Sequence, residues 1–337
     1  MRKLIILTIV FLFISNLSYV FSVKNPQLKL AVNLTIDDST FQNDESFFKI
    51  PTKLVTDSLG NIFVLDSNRV LKFSNKGNFL FEINKKGVGP SESTNLQDID
   101  IDLKNGILYL CDQNLQKILA FTTDGKYLKE FRIKLGSNPY KIAVDKQGFV
   151  YVNFIGTPQN YLLHRFSPDG SLVKSIIPIR FKDEDASLSA WKNNIQFCLD
   201  KNGNILVSYC FYNIVQKVKP NGNVIREWKL PLDYTPKDVK IVWPSPNRKK
   251  ADGDRVTQGI AVDNFNNIYI MWGSRATEKG LEIDIFNPDC SFKTRFFSNN
   301  KPDGDLLVFH IDDKNNLFML IPLENPSITR NSIQWVK

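Results

Sequence analysis

Apolar residues in this chain fall in short runs rich in Ile, Val, Phe and Tyr, and Gly and Asn stand between the runs where hairpins need positive φ. Six times an acidic residue, a short turn and such a run recur. The units open at Asp57 (D-S-L-G-N-I-F-V), Asp102 (D-L-K-N-G-I-L-Y), Asp145, Asp200, Asp263 and Asp312. The leading positions are 45, 43, 55, 63 and 49 residues apart. Several short strands per unit at that period predict an all-β fold, a six-bladed β-propeller of four-stranded antiparallel blades.

The first unit resolves into four strands, Lys53 to Asp57, Asn61 to Asp66, Arg69 to Phe73 and Phe79 to Ile83. A turn at Asn75-Lys-Gly77-Asn joins the last two. It recurs with Gly125, Gly170 and Gly222, then with Cys290 in glycine's place, where a different turn type is expected. The sixth unit runs out one strand short. Residues 28–36 (LKLAVNLTI) have no other partner and are expected to complete that blade and close the ring, since closure removes exposed sheet edges. Two insertions, 178–193 and 231–255, interrupt the period with Pro and charge, and both are expected on one face of the disc, where such folds place binding surface.

The amino terminus reads differently. Arg2 and Lys3 precede an apolar run from Leu4 to Ile14, then small and polar residues up to Ser22. This is the order of a secretory signal, so residues 1–22 are expected to be a leader and 23–337 a single propeller domain. Export to the periplasm, the cell surface or the medium follows. An uncleaved anchor reaching about Val23 is the alternative, and membrane contact would then run through that segment alone. No Cys follows the apolar run, which disfavours a lipoprotein.

Removal of Arg2 and Lys3 lowers the formal charge from +8 to +6. The remaining Lys and Arg are scattered, and the one tight cluster, Arg248-Lys249-Lys250, is followed by Asp252 and Asp254. A nucleic-acid partner would need a basic stripe interleaved with aromatics, so none is expected. A monomer is expected. The cysteines at 111, 198, 210 and 290 form no C-x-x-C motif, and Cys198 should face Leu206 rather than Cys210 in a tight hairpin. Free buried thiols are the expectation.

At Lys86-Gly-Val-Gly-Pro-Ser-Glu92, Ile99-Asp-Ile-Asp102, Asn61-Ile-Phe-Val-Leu-Asp66 and Arg69-Val-Leu-Lys-Phe73 the chain resembles NHL-repeat six-bladed propellers, above all the exported bacterial ones. That fold hosts lyases, lactonases and interaction modules, so the resemblance implies fold more than activity. Zinc-dependent relatives hold metal through several histidines, whereas this chain has two, His164 and His310. Lactonase-type relatives bind calcium with inward carboxylates and amides, for which Glu92, Asp98, Asp112 and Asn114 are the candidates here.

The leading Asp of each unit repeats with the blade and reads as a turn cap. Asp66 and Asp112 end second strands near the loops and are candidates for ligand contact as well as for capping. Trp191, Tyr212, Trp243 and Trp272 lie in insertions or in loops after second strands, where exposed rings would suit sugar stacking or a protein partner. Arg69 and Arg275 lie in equivalent loops and would meet an anionic ligand. No nucleophile elbow, P-loop or dinucleotide fingerprint occurs. The Asn33-Leu-Thr35 sequon reads as coincidence. The expectation is therefore an exported, non-catalytic propeller without a cofactor that binds a protein or carbohydrate partner through one face. The alternative is a calcium- or zinc-dependent hydrolase or lyase at the channel mouth, using Glu92, Asp98, Asp112 and Asp66.

Overall fold

The computed structural model describes residues 26–41, 47–83, 85–245, 248–273, 280–298, 308–322 and 325–336. The expected leader, residues 1–22, and Arg275 lie outside the described residues. Six four-stranded antiparallel sheets form a ring of blades. The first holds Pro51–Thr56, Ile62–Asp66, Arg69–Phe73 and Phe79–Ile83, close to the strands expected from the pattern. The inner strands of the next five are Leu96–Asp102, Asn138–Val144, Ile195–Leu199, Thr257–Val262 and Val308–Ile311.

The buried apolar side chains fall into six clusters, one between each pair of neighbouring blades. Strand side chains alternate in direction, so each inner strand sends one set toward the preceding blade and the other toward the next. Leu54 packs with the sixth blade while Val55 packs with the second. The ring closes as expected: Gln27–Ile36 pairs antiparallel with Ser327–Val336 and forms the outer strand of the sixth blade. Ile36 reaches Leu54 and Phe73 of the first blade across the sixth interface.

The turns explain the repeat. The Asp57 carboxylate accepts the N–H groups of Leu59 and Asn61 at 3.0 and 2.8 Å, and Asn61 Nδ2 donates to its other oxygen. Asp200, Asp263 and Asp312 repeat that bonding with Asn204, Asn267 and Asn316. The second turn holds Gly77 at φ +87°, with its N–H on the Ser74 carbonyl. Cys290 adopts φ +68° and donates to Asn287 in the same way. The Cys turn is therefore the same turn and not the different type expected; burial of the thiol against the core offsets the left-handed strain. All four cysteines are free, and Cys198 does lie opposite Leu206.

Both insertions connect an outer strand to the next inner strand, so they begin and end on one face, here called the loop face. The first carries the helix Ala186–Lys192, capped by Asp185, and the second a hairpin of Lys240–Ser245 and Arg248–Asp252. No helix among the described residues is long and apolar enough to cross a membrane.

Candidate functional site

Counting back from the leading Asp of each unit exposes a polar belt around the channel. Four residues before it stand Lys53, Asp98, Lys141, Gln196, Gly259 and Val308, and two before it Val55, Asp100, Ala143, Cys198, Ala261 and His310. These positions face the next blade at the channel edge, where an inner strand has no further strand to pair with. The second blade answers that need for the third. Asp98 accepts the Ile142 N–H at 2.9 Å and Asp100 the Val144 N–H at 2.7 Å. Lys53 forms an ion pair with Asp98 at 3.1 Å. Lys141 donates to Gln196 Oε1 at 2.6 Å, and Thr56 Oγ1 bonds His310 Nε2 at 3.1 Å.

A cavity of about 810 Å³ occupies the channel below this belt. Lys53, Asp100 and His310 line it at depth, apolar inner-strand residues such as Ile142 and Ile260 form its walls, and Lys104, Lys146 and Lys201 stand at its mouth. The mouth lies among the first hairpin turns, on the side opposite the insertions.

The belt shifts its own ionisations. Burial pushes the Asp100 carboxyl up to about 6, with Lys53 and the Val144 N–H pulling against it. Burial opposes charge on Lys53 too, but Asp98 and Asp100 outweigh it and hold the amine above its ordinary range. Burial, then Lys53 and Lys201, depress His310 to about 3. Cys198 is pushed up to about 12 by burial and Asp200, which leaves an unreactive thiol.

These shifts predict acid sensitivity. The folded pKa of His310 lies below its unfolded value, so the folded state resists protonation and stability is lost as pH falls from 6.5 toward about 3. Asp100 acts in the opposite sense between about 6 and 3.8, with the smaller shift. A His310→Gln variant should therefore lose less stability between pH 7 and pH 4 than the parent, by roughly 3 kcal/mol at ~1.4 kcal/mol per unit below 6.5. Denaturant unfolding at the two pH values checks this; parallel losses would refute it.

The carboxylates expected near the channel mouth are placed separately. Asp66 accepts the N–H groups of Lys49 and Ile50 at 2.8 and 2.6 Å and pairs with Arg69, which also reaches Glu82 and the Phe47 carbonyl. Asp112 accepts from Thr94 and Leu115 N–H, Glu92 from Gly89 N–H, and the Asn114 carbonyl from Asn95 Nδ2. Of this set only Asp98 belongs to the belt. No group of three or more His, Cys, Asp and Glu that could hold a metal ion occurs among the described residues. His164 is buried in the third blade, beside Ser175 and Phe154.

The aromatics divide. Trp272 is not a rim residue: it is 4% exposed, its Nε1 donates to Asp284 at 2.9 Å, and Arg295 covers its ring. Trp191 is half-buried in its helix. Tyr212 joins the insertions, stacking on Phe181 of the first at 4.1 Å and donating to Asp238 of the second at 2.9 Å. Trp243 stands on the hairpin, 57% exposed. Phe47, Ile50, Val88 and Ile155 are exposed in connections or strand ends on the same face.

The fold and its channel define a six-bladed β-propeller with an axial cavity and a built-up loop face. Residues 42–333 match the model described as domain of unknown function DUF4934, and the chain belongs to that family. Among curated proteins none matches. Similar solved structures include a candidate exported protein from Bacteroides fragilis, with TM-score 0.62, 13% identity, and 92% of this chain and 96% of that one covered. A DUF4221 family member from Bacteroides vulgatus gives 0.60 at 10% identity, covering 93% and 100%. Virginiamycin B lyase from Staphylococcus aureus gives 0.52 at 12% identity, covering 91% and 99%. At such identities the likeness is one of fold.

Proposed function

We propose that this protein is an exported, NHL-type propeller that binds a protein or glycan partner through its loop face and catalyses no reaction. The observation that carries this reading is the platform made by the two insertions. Tyr212 locks them to each other, Arg180 of the first pairs with Glu227 at 2.6 Å, and Asn193 ties both ends of that loop together. A rigid base of this kind lowers the entropy cost of presenting an aromatic, and Trp243 is the aromatic presented. The neighbour from Bacteroides fragilis described as a candidate exported protein agrees with the expected leader, and the lyase among the neighbours adds no site residue to this chain. Metal-dependent hydrolysis gains no support from Asp66, Asp112 or Glu92, each of which is held by backbone N–H groups.

Trp243→Ala should weaken partner binding at least tenfold, as an exposed hot-spot ring does at ~2 kcal/mol or more, with unfolding unchanged. Surface plasmon resonance against solubilised envelope proteins and purified peptidoglycan reads this. Undiminished binding to a ligand that the parent holds would refute the platform.

A further inference from the structure

We propose that the face opposite the loops, which carries the channel mouth and the first hairpin turns, lies against a lipid bilayer and enters it through Leu59 and Phe265. The loop face then points away from the bilayer, so this inference goes beyond the partner reading and does not rest on it.

The two residues stand at one position of the repeat, two after the leading Asp. There the other blades carry Lys104, Gln147, Asn202 and Lys314. The turn asks nothing apolar of this side chain, because its backbone makes the bond: the N–H groups of Leu59 and Phe265 donate to Asp57 and Asp263 at 3.0 and 2.9 Å. Yet Leu59 is 68% exposed and Phe265 70%, each at a tip where the other blades present polar groups to water. The tips are held in place. Lys314 Nζ donates to the Leu59 carbonyl at 3.3 Å, the Asn264 N–H to Asn315 Oδ1 at 2.8 Å, and Asn264 Nδ2 to the Asp313 carbonyl. The turn of the sixth blade thus ties those of the fifth and the first, and Leu59 and Phe265 flank it. Val336 and Phe292, also exposed, lie at strand ends on the same side. Apolar side chains gathered on one face mark a contact surface, and rings and branched chains at rigid tips suit shallow entry into the headgroup and acyl boundary.

The occupant is argued from where the chain enters the propeller. Gln27 pairs with Val336, so the amino-terminal strand starts on this face, in the blade between Leu59 and Phe265. The segment that precedes it, apolar from Leu4 to Ile14, joins the propeller on this side. A segment of that kind meets a membrane, during export or as an anchor, and brings this face to it. Lysines of the turns stand among the capping carboxylates, so charge gives the face no single sign and the contact is apolar.

The test sediments residues 23–337 with sucrose-loaded vesicles of equimolar phosphatidylethanolamine and phosphatidylglycerol. That chain holds all six blades and lacks the expected leader, so the leader cannot supply the binding. The parent should sediment with the vesicles at low salt and in molar sodium chloride alike, since salt screens charge and not apolar burial. Leu59→Asn together with Phe265→Asn gives both tips the residue found at 202, and should lower the partition coefficient roughly tenfold with an unchanged melting temperature. Trp243→Ala should partition as the parent does, which separates the two faces. Absence of the parent from the vesicle fraction overturns the proposal, as does equal partition of parent and double variant, or release by salt. A dimer in sedimentation velocity that the double variant loses, with no vesicle binding, assigns the face to a second copy of the chain and overturns it likewise.

Discussion

A chain that begins at Asp37 should unfold far more readily than the intact protein, by about 5 kcal/mol or more. Residues 27–36 supply the outer strand of the sixth blade, paired along their length with residues 327–336. Leu28 and Ile36 are buried, Leu30 and Leu34 pack against neighbouring clusters, and each well-buried aliphatic side chain is worth about 1.5–3 kcal/mol. Loss of Ile36 also opens the sixth interface beside Phe73 and Phe318. The freed edge of 327–336 would promote association, so light scattering should rise together with the lowered melting temperature. A truncated chain that melts within two degrees of the parent would show that the ring does not depend on this closure.

The second large effect concerns Asp98. Its carboxylate serves Lys53 and the Ile142 N–H, so Asp98→Ala leaves a cation and a backbone donor unpaired inside the channel. The expected cost is about 3–5 kcal/mol. Replacing both charged partners, as in Lys53→Met with Asp98→Leu, should recover much of it, because no uncompensated charge remains. Equilibrium denaturation of the two single variants and the double variant decides the matter. A double variant as unstable as the sum of the singles would mean that the pair is not coupled.

The fold was legible because its turns are chemical. An Asp that accepts two N–H groups of its own hairpin turn recurs in every blade, with an Asn side chain four residues on in four of them, and so the period stood out. The unpartnered strand at 28–36 followed from closure alone. His164 occupies the repeat position of Leu71, opposite Val152 as Leu71 is opposite Val64. The belt was harder to see. Lys53, Asp98, Lys141 and Gln196 share one position of the repeat, but the likeness among blades draws attention to what recurs, and these residues differ from blade to blade. Counting back from the leading Asp would have found them as polar outliers in apolar strands. Trp272 misled for a different reason. Its partner Asp284 lies across a strand pair, and a sequence does not show that a ring nitrogen is satisfied inside. Cys290 misled because glycine's conformation was tied to glycine, whereas burial lets a thiol adopt it.

The most direct test of the loop face as the functional face compares three immobilised proteins: the parent, one with 240–252 replaced by a two-residue turn, and Lys104→Glu, which alters the lining of the channel cavity. Each is exposed to the same solubilised envelope proteins and purified peptidoglycan, and bound material is quantified. The parent and Lys104→Glu should retain the same partner, while the hairpin replacement should lose it and keep its unfolding transition. Retention by the hairpin replacement with loss by Lys104→Glu would move the function into the channel and contradict the account.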